Sequence, residues 1–108
     1  MRRVAISPTG LYIPPESISN QELVTAFNQF AESDNKLHAA AIAARTRQPI
    51  PQSSVEFIEK ASGIKRRYVV EKSGVLDPQR MYPRFRARPD HDISMMAEIG
   101  VSAAQDAL

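Results

Sequence analysis

Apolar residues recur along this chain with a helical period in three places. After Ser19, the positions Leu23, Val24, Phe27, Phe30 and Ala31 fall on one side of a 3.6-residue repeat and predict an amphipathic helix. Its start is marked twice. Ser19 and Glu22 have the spacing of a capping box, and Ile18 and Leu23 are placed as a hydrophobic staple. The polar run Ser33-Asp34-Asn35 closes the pattern. The alanine-rich residues 36–47 then predict a second helix from propensity alone, broken before Pro49.

A second capping-box pair, Ser53 and Glu56, opens a short helix whose buried side is expected to be Phe57, Ile58 and Ala61. Gly63 suits the left-handed position that ends such a helix. The last helix is capped by Asp92 or Ser94. Its face of Met96, Ile99, Gly100, Ala103, Ala104 and Ala107 is built mainly from small residues and suits close packing. Period-two signals are weaker. Residues 3–7 predict a short strand stopped by Pro8 and Gly10, and residues 11–13 are extended up to Pro14-Pro15. Tyr68-Val69-Val70 predicts another strand. Gly74, Pro78, Pro83 and Pro89 make residues 71–92 a loop.

The chain has 108 residues, enough for one small domain or part of a larger one, and its 43% hydrophobic content is that of a folded protein. No stretch approaches the ~18–20 apolar residues of a membrane span. The N-terminus carries two arginines but too short an apolar run for a secretory signal. Cytoplasmic residence is the expectation. With no cysteine, these residues hold no disulfide, thiolate metal site or thiol nucleophile. His38 and His91 lack partners at metal-ligand spacing, which makes them structural or surface residues.

Charge changes the picture. Residues 1–59 carry five cations and six anions, residues 60–88 nine and two, and residues 89–108 none and four. A middle segment this basic suits a phosphate-bearing or acidic partner, and a solvated arginine-rich loop explains it equally well. The densest part is FIEKASGIKRR, a short helix stopped by glycine and followed by three consecutive cations.

The order of these features resembles one known family. G-L-Y-I-P, S-N-Q-E-L opening a helix, F-I-E-K-A-S-G-I-K-R-R-Y, and S-M-M-A-E-I-G-V-S-A-A-Q-D-A-L are similar to the N-terminus of the ketoacyl-acyl carrier protein synthase III family, among the thiolase-like condensing enzymes. The resemblance implies an α/β fold with five layers, α-β-α-β-α, in two similar halves. This chain would be the N-terminal part of the first half, about a third of such an enzyme. The amphipathic pattern still running at Leu108 leads to the same expectation. Residues of about 34–52 and 73–92 would be insertions in a divergent member.

The implied activity is decarboxylative Claisen condensation of an acyl thioester with malonyl-acyl carrier protein, in fatty acid biosynthesis. The family's nucleophilic cysteine, histidine and asparagine are expected beyond Leu108, so this segment alone should be inactive. No permanent cofactor is implied; coenzyme A or phosphopantetheine thioesters are substrates. Acyl-coenzyme A, acyl carrier protein, the remainder of the enzyme chain and a second copy in a homodimer are the implied partners, with no membrane and no nucleic acid.

In the family, the helix matching FIEKASGI borders the mouth of the tunnel that admits the pantetheine arm. Phe57 takes the place of a tryptophan that stacks on adenine, Ala61 that of an arginine against the nucleotide, and Ser62 that of a threonine. Phe57 keeps an aromatic face but offers less area and no indole N–H. Ala61 cannot pair with phosphate, and the neighbouring Lys60 sits at a different angle on the helix. This departure puts the usual hold on coenzyme A in question, and an acyl carrier protein is the other possible source of the primer. The resemblance makes Phe57, Ser62, Ser53 and Lys60 candidate substrate-binding residues. Lys65, Arg66, Arg67, Arg84 and Arg86 are candidates for docking an acidic carrier protein. Three readings stay open beside it: a related synthase of secondary metabolism, a non-catalytic scaffold, and a basic nucleic-acid-binding module using arginines interleaved with Tyr82 and Phe85.

Overall fold

A computed structural model describes residues 2–108. They divide into two compact units: Pro14–Phe85, and the residues before Pro14 together with Arg86–Leu108.

In the larger unit the order is β1 (Glu16–Ser19), α1 (Asn20–Leu37), α2 (Ala39–Ala43), α3 (Val55–Ser62) and β2 (Arg66–Val69). The two strands pair antiparallel, with Glu16 opposite Val69 and Ser19 opposite Arg66. Sequence pattern finds β2 but not β1, whose four residues E-S-I-S gain strand geometry from a partner about fifty positions away rather than from their own propensity. Ile18, Val24, Ala26 and Ala31 form the buried core of this unit.

Helix α1 begins where expected: the Ser19 hydroxyl accepts the Glu22 N–H at 3.1 Å. It does not stop at Ser33-Asp34-Asn35 but continues to Leu37. Asp and Asn break helices when their side chains bond nearby backbone. Here both are occupied elsewhere. Asp34 accepts from Arg47 at 2.8 Å, and Asn35 pairs with the distant backbone of Ile50. The second helix is shorter than expected, because Arg45 turns to φ 58° and Thr46 folds back onto the Ala41 carbonyl.

The cap of α3 is Ser54, which accepts the Phe57 N–H at 3.1 Å, and not Ser53. Gly63 ends α3 at φ 69°, as its position predicts. The expected buried side of α3 is not covered: Phe57 and Ala61 are exposed and only Ile58 is half-buried. Helix α3 meets α1 through Ile58, which shares a recess with Leu23, Val24 and Phe27, and leaves Phe57 and Ala61 outside that contact.

The loop that follows β2 is closed by Glu71. Its carboxylate accepts the Arg84 N–H at 2.6 Å, the Gly74 N–H at 3.1 Å and the Ser73 hydroxyl. Arg84 in turn donates to Asp77 at 2.6 Å and Ser73 at 3.1 Å. Gly74 is buried so tightly that a Cβ there would lie 2.4 Å from the Tyr82 carbonyl oxygen. The backbone donor of Arg84, then the Ser73 hydroxyl, hold the Glu71 carboxyl down to about 2 from 4.5. A carboxylate whose folded pKa is depressed stabilises above its unfolded value and loses that contribution as pH falls toward the folded one. Acid titration should therefore loosen this loop between pH 4.5 and about 2, read as a change in Tyr82 fluorescence that Glu71→Gln abolishes. A pH-independent signal would remove Glu71 as the clasp.

In the smaller unit α4 (Met95–Ala107) is capped by Ser94, one of the two expected residues. Its small residues admit another stretch of backbone. A Cβ at Gly10 would lie 2.0 Å from the Ala103 carbonyl oxygen, and the Leu11 N–H donates to Asp106 at 3.0 Å. Residues 3–7 form no strand, and Val4 and Ile6 are 94% and 93% exposed. A strand needs a neighbour to complete its ladder, and among the described residues none is presented to them.

Candidate functional site

The site is assembled from α1, the extended segment leading into α3, and α3 itself. Phe57, Lys60 and Ala61 stand at i, i+3 and i+4, one face of α3, and border a concave surface of about 410 Å³. Lys60 therefore shares a face with Phe57 and Ala61, against the expectation of a divergent angle. Phe57 is 66% exposed, so its ring is available to a ligand. It also borders a concavity of about 600 Å³ with Phe27, Pro51, Gln52, Ser53 and Ser54. On the other side of Phe27 and Ser53 lies an apolar recess of about 230 Å³, lined by Leu23, Val24, Ile58 and Met81.

The remaining candidates fare differently. The Ser62 hydroxyl donates to the Ile58 carbonyl at 2.7 Å and accepts the Ile64 N–H at 3.2 Å, so it finishes the helix end. Lys65 is exposed, 3.6 Å from Glu59. Arg66 is exposed and donates to Ser17 at 3.1 Å. Arg67 is half-buried and donates to Asn20 at 3.2 Å, a structural bond. Arg84 is committed to the Glu71 loop. Arg86 belongs to the other unit. Of the proposed docking cations, Lys65 and Arg66 are the exposed ones that follow the end of α3, each with one surface partner, Glu59 and Ser17. The arginine–aromatic interleaving of residues 80–85 is partly spent internally, since Arg80 lies 4.0 Å over the Tyr82 ring and donates to the Tyr82 and Pro83 carbonyls.

Three asparagines of α1 do work that pattern reading missed. Asn20, only 3% exposed, donates to the Ile64 carbonyl at 2.7 Å and accepts from Arg67. Asn28 donates to the Ser53 carbonyl at 3.0 Å and accepts the Ser53 N–H at 2.8 Å. Asn35 does the same with Ile50, at 2.9 and 2.8 Å. Each of the last two amides presents a donor and an acceptor side by side, as a neighbouring strand would, and seats an extended segment along a helix. A signal existed: asparagine is a poor helix former, yet three recur in α1 at nearly two-turn spacing.

No helix among the described residues is long and apolar enough to cross a membrane, and no group of metal-ligating side chains gathers. No family model matches the chain. Over 83 residues, 77% of its length, the chain is 47% identical to a beta-ketodecanoyl-(acyl-carrier-protein) synthase from Pseudomonas aeruginosa. It spans 24% of the length of that relative. Over the matched stretch the chain is therefore a relative of a ketoacyl-acyl carrier protein synthase III-like condensing enzyme, the family its own motifs resemble.

Proposed function

We propose that this chain is one wall of the substrate entrance in a beta-ketoacyl-acyl carrier protein synthase III-like enzyme of thiolase-like fold, with residues of about 34–52 and 73–92 as insertions. The complete enzyme, a homodimer, carries out decarboxylative condensation. By the chemistry of the relative's named product, an eight-carbon acyl thioester and malonyl-acyl carrier protein give 3-oxodecanoyl-acyl carrier protein, carbon dioxide and the free thiol of the primer's carrier. This chain holds no cysteine, so the rest of the enzyme supplies the thiolate that first takes the acyl group, and the histidine and asparagine that assist decarboxylation. A helix N-terminus and oriented N–H donors favour the thiolate and the oxyanion there.

One observation carries the reading for these residues: an exposed aromatic ring, a cation and a small residue share the concave face of α3, and two exposed cations, Lys65 and Arg66, follow its end. That face suits a nucleotide or pantetheine arm with an acidic carrier protein near it. The test is octanoyl-coenzyme A with malonyl-acyl carrier protein and the full-length enzyme, followed by mass of the carrier. The 3-oxodecanoyl adduct supports the proposal; absence of any extended acyl carrier overturns it. Reversing Lys65 and Arg66 to glutamate should raise KM for the carrier-bound substrate several-fold at low ionic strength and hardly at all in high salt. Equal KM values at low salt remove these two cations from docking.

A further inference from the structure

The Asn28 latch carries an inference about how the Phe57 ring is held. Its amide grips both backbone groups of Ser53, at 2.8 and 3.0 Å. The next residue, Ser54, caps α3, and its hydroxyl accepts the N–H of Phe57 at 3.1 Å. A short hydrogen-bonded path therefore joins the middle of α1 to the backbone of Phe57, with no freely rotating loop between them. Residues 49–53 could otherwise slide along α1, because Pro49 and Pro51 remove two of the N–H donors that would fix them. A paired donor and acceptor blocks sliding more strictly than a single hydrogen bond, since a shift of one residue breaks both. Asn35 forms the same pair one step upstream, on Ile50, where it fixes the start of the segment but touches neither the cap nor α3.

We infer that Asn28 is a positioning residue for ligand recognition: by fixing Ser53 and thereby the Ser54 cap, it sets where Phe57 meets the nucleotide end of a coenzyme A thioester. The inference rests on the entrance reading above. The two asparagines form a built-in control, identical in chemistry and differing only in what they hold.

The experiment compares Asn28→Ala, Asn28→Asp, Asn35→Ala and Phe57→Ala in the full-length enzyme, with octanoyl-coenzyme A and with octanoyl-pantetheine, which lacks the nucleotide. Asn28→Ala should raise KM for octanoyl-coenzyme A about fivefold with kcat unchanged, as loss of a positioning hydrogen-bond pair predicts. Octanoyl-pantetheine should show no such change. Asn28→Asp keeps the acceptor for the Ser53 N–H and should show a smaller rise, which maintains the test if the alanine variant folds poorly. Asn35→Ala should leave KM within about twofold. In the Phe57→Ala background, Asn28→Ala should add little, because both act through one ring. Equal KM effects from Asn28 and Asn35, or a rise that is fully additive with Phe57→Ala, would overturn the positioning role. An unchanged KM in Phe57→Ala itself would instead overturn the entrance reading, which separates the two failures.

Discussion

Phe57→Ala in the full-length enzyme should raise KM for an acyl-coenzyme A substrate about tenfold while leaving kcat nearly untouched. The ring is exposed on the concave face of α3, so its removal leaves the core intact. Stacking of a base on an aromatic side chain is worth ~1–3 kcal/mol by alanine substitution, and ~1.4 kcal/mol corresponds to tenfold. The nucleotide is far from the reacting carbonyl, so the lost interaction is the same in ground and transition states and appears in KM. Phe57→Trp should move KM the other way through a larger face and an added N–H donor. Steady-state kinetics with coenzyme A and pantetheine thioesters decide the matter: identical KM values for wild type and Phe57→Ala would end the stacking role.

Ile18→Ala should be the most destabilising single truncation among the described residues. Ile18 is 1% exposed, the largest fully buried side chain among the described residues, and sits on β1 opposite Arg67. Truncating a buried isoleucine to alanine costs ~2–5 kcal/mol, whereas Ile18→Val should cost only ~0.5–1.5 kcal/mol. Urea denaturation of the full-length enzyme should resolve the two steps. If the alanine variant loses no more than the valine variant, Ile18 does not anchor this unit. Activity in the absence of denaturant should fall less than stability, because Ile18 lines none of the concave surfaces around Phe57.

Local chemistry was what the sequence made legible. Ser19, Gly63 and Ser94 mark helix ends through bonds to backbone three or four residues away, and all three stand where pattern places them. Features made by distant partners were not readable. Strand β1 exists through β2, α1 outlasts its polar break through Arg47 and Ile50, and the choice of Ser54 over Ser53 as cap follows from Asn28 holding its neighbour. Residues 3–7 show the converse: β-branched residues promise a strand, but the described residues offer no second edge to receive it. At the site, motif resemblance picked out α3 and its basic exit. It could not separate the cations facing solvent from Arg67 and Arg84, whose charges are spent on Asn20 and Asp77.

The paired grips of Asn28 and Asn35 have a bearing on protein engineering. The segment from Ile50 to Ser53, which leads into α3, is tied directly to α1 and does not depend on the excursion between Leu37 and Pro49 for its alignment. That excursion should accept a fluorophore at an exposed position such as Gln48, with the Arg47–Asp34 pair left in place, while the helix bearing Phe57 stays in register. It offers a place to attach a reporter outside the residues that line the concave surfaces bordered by Phe57.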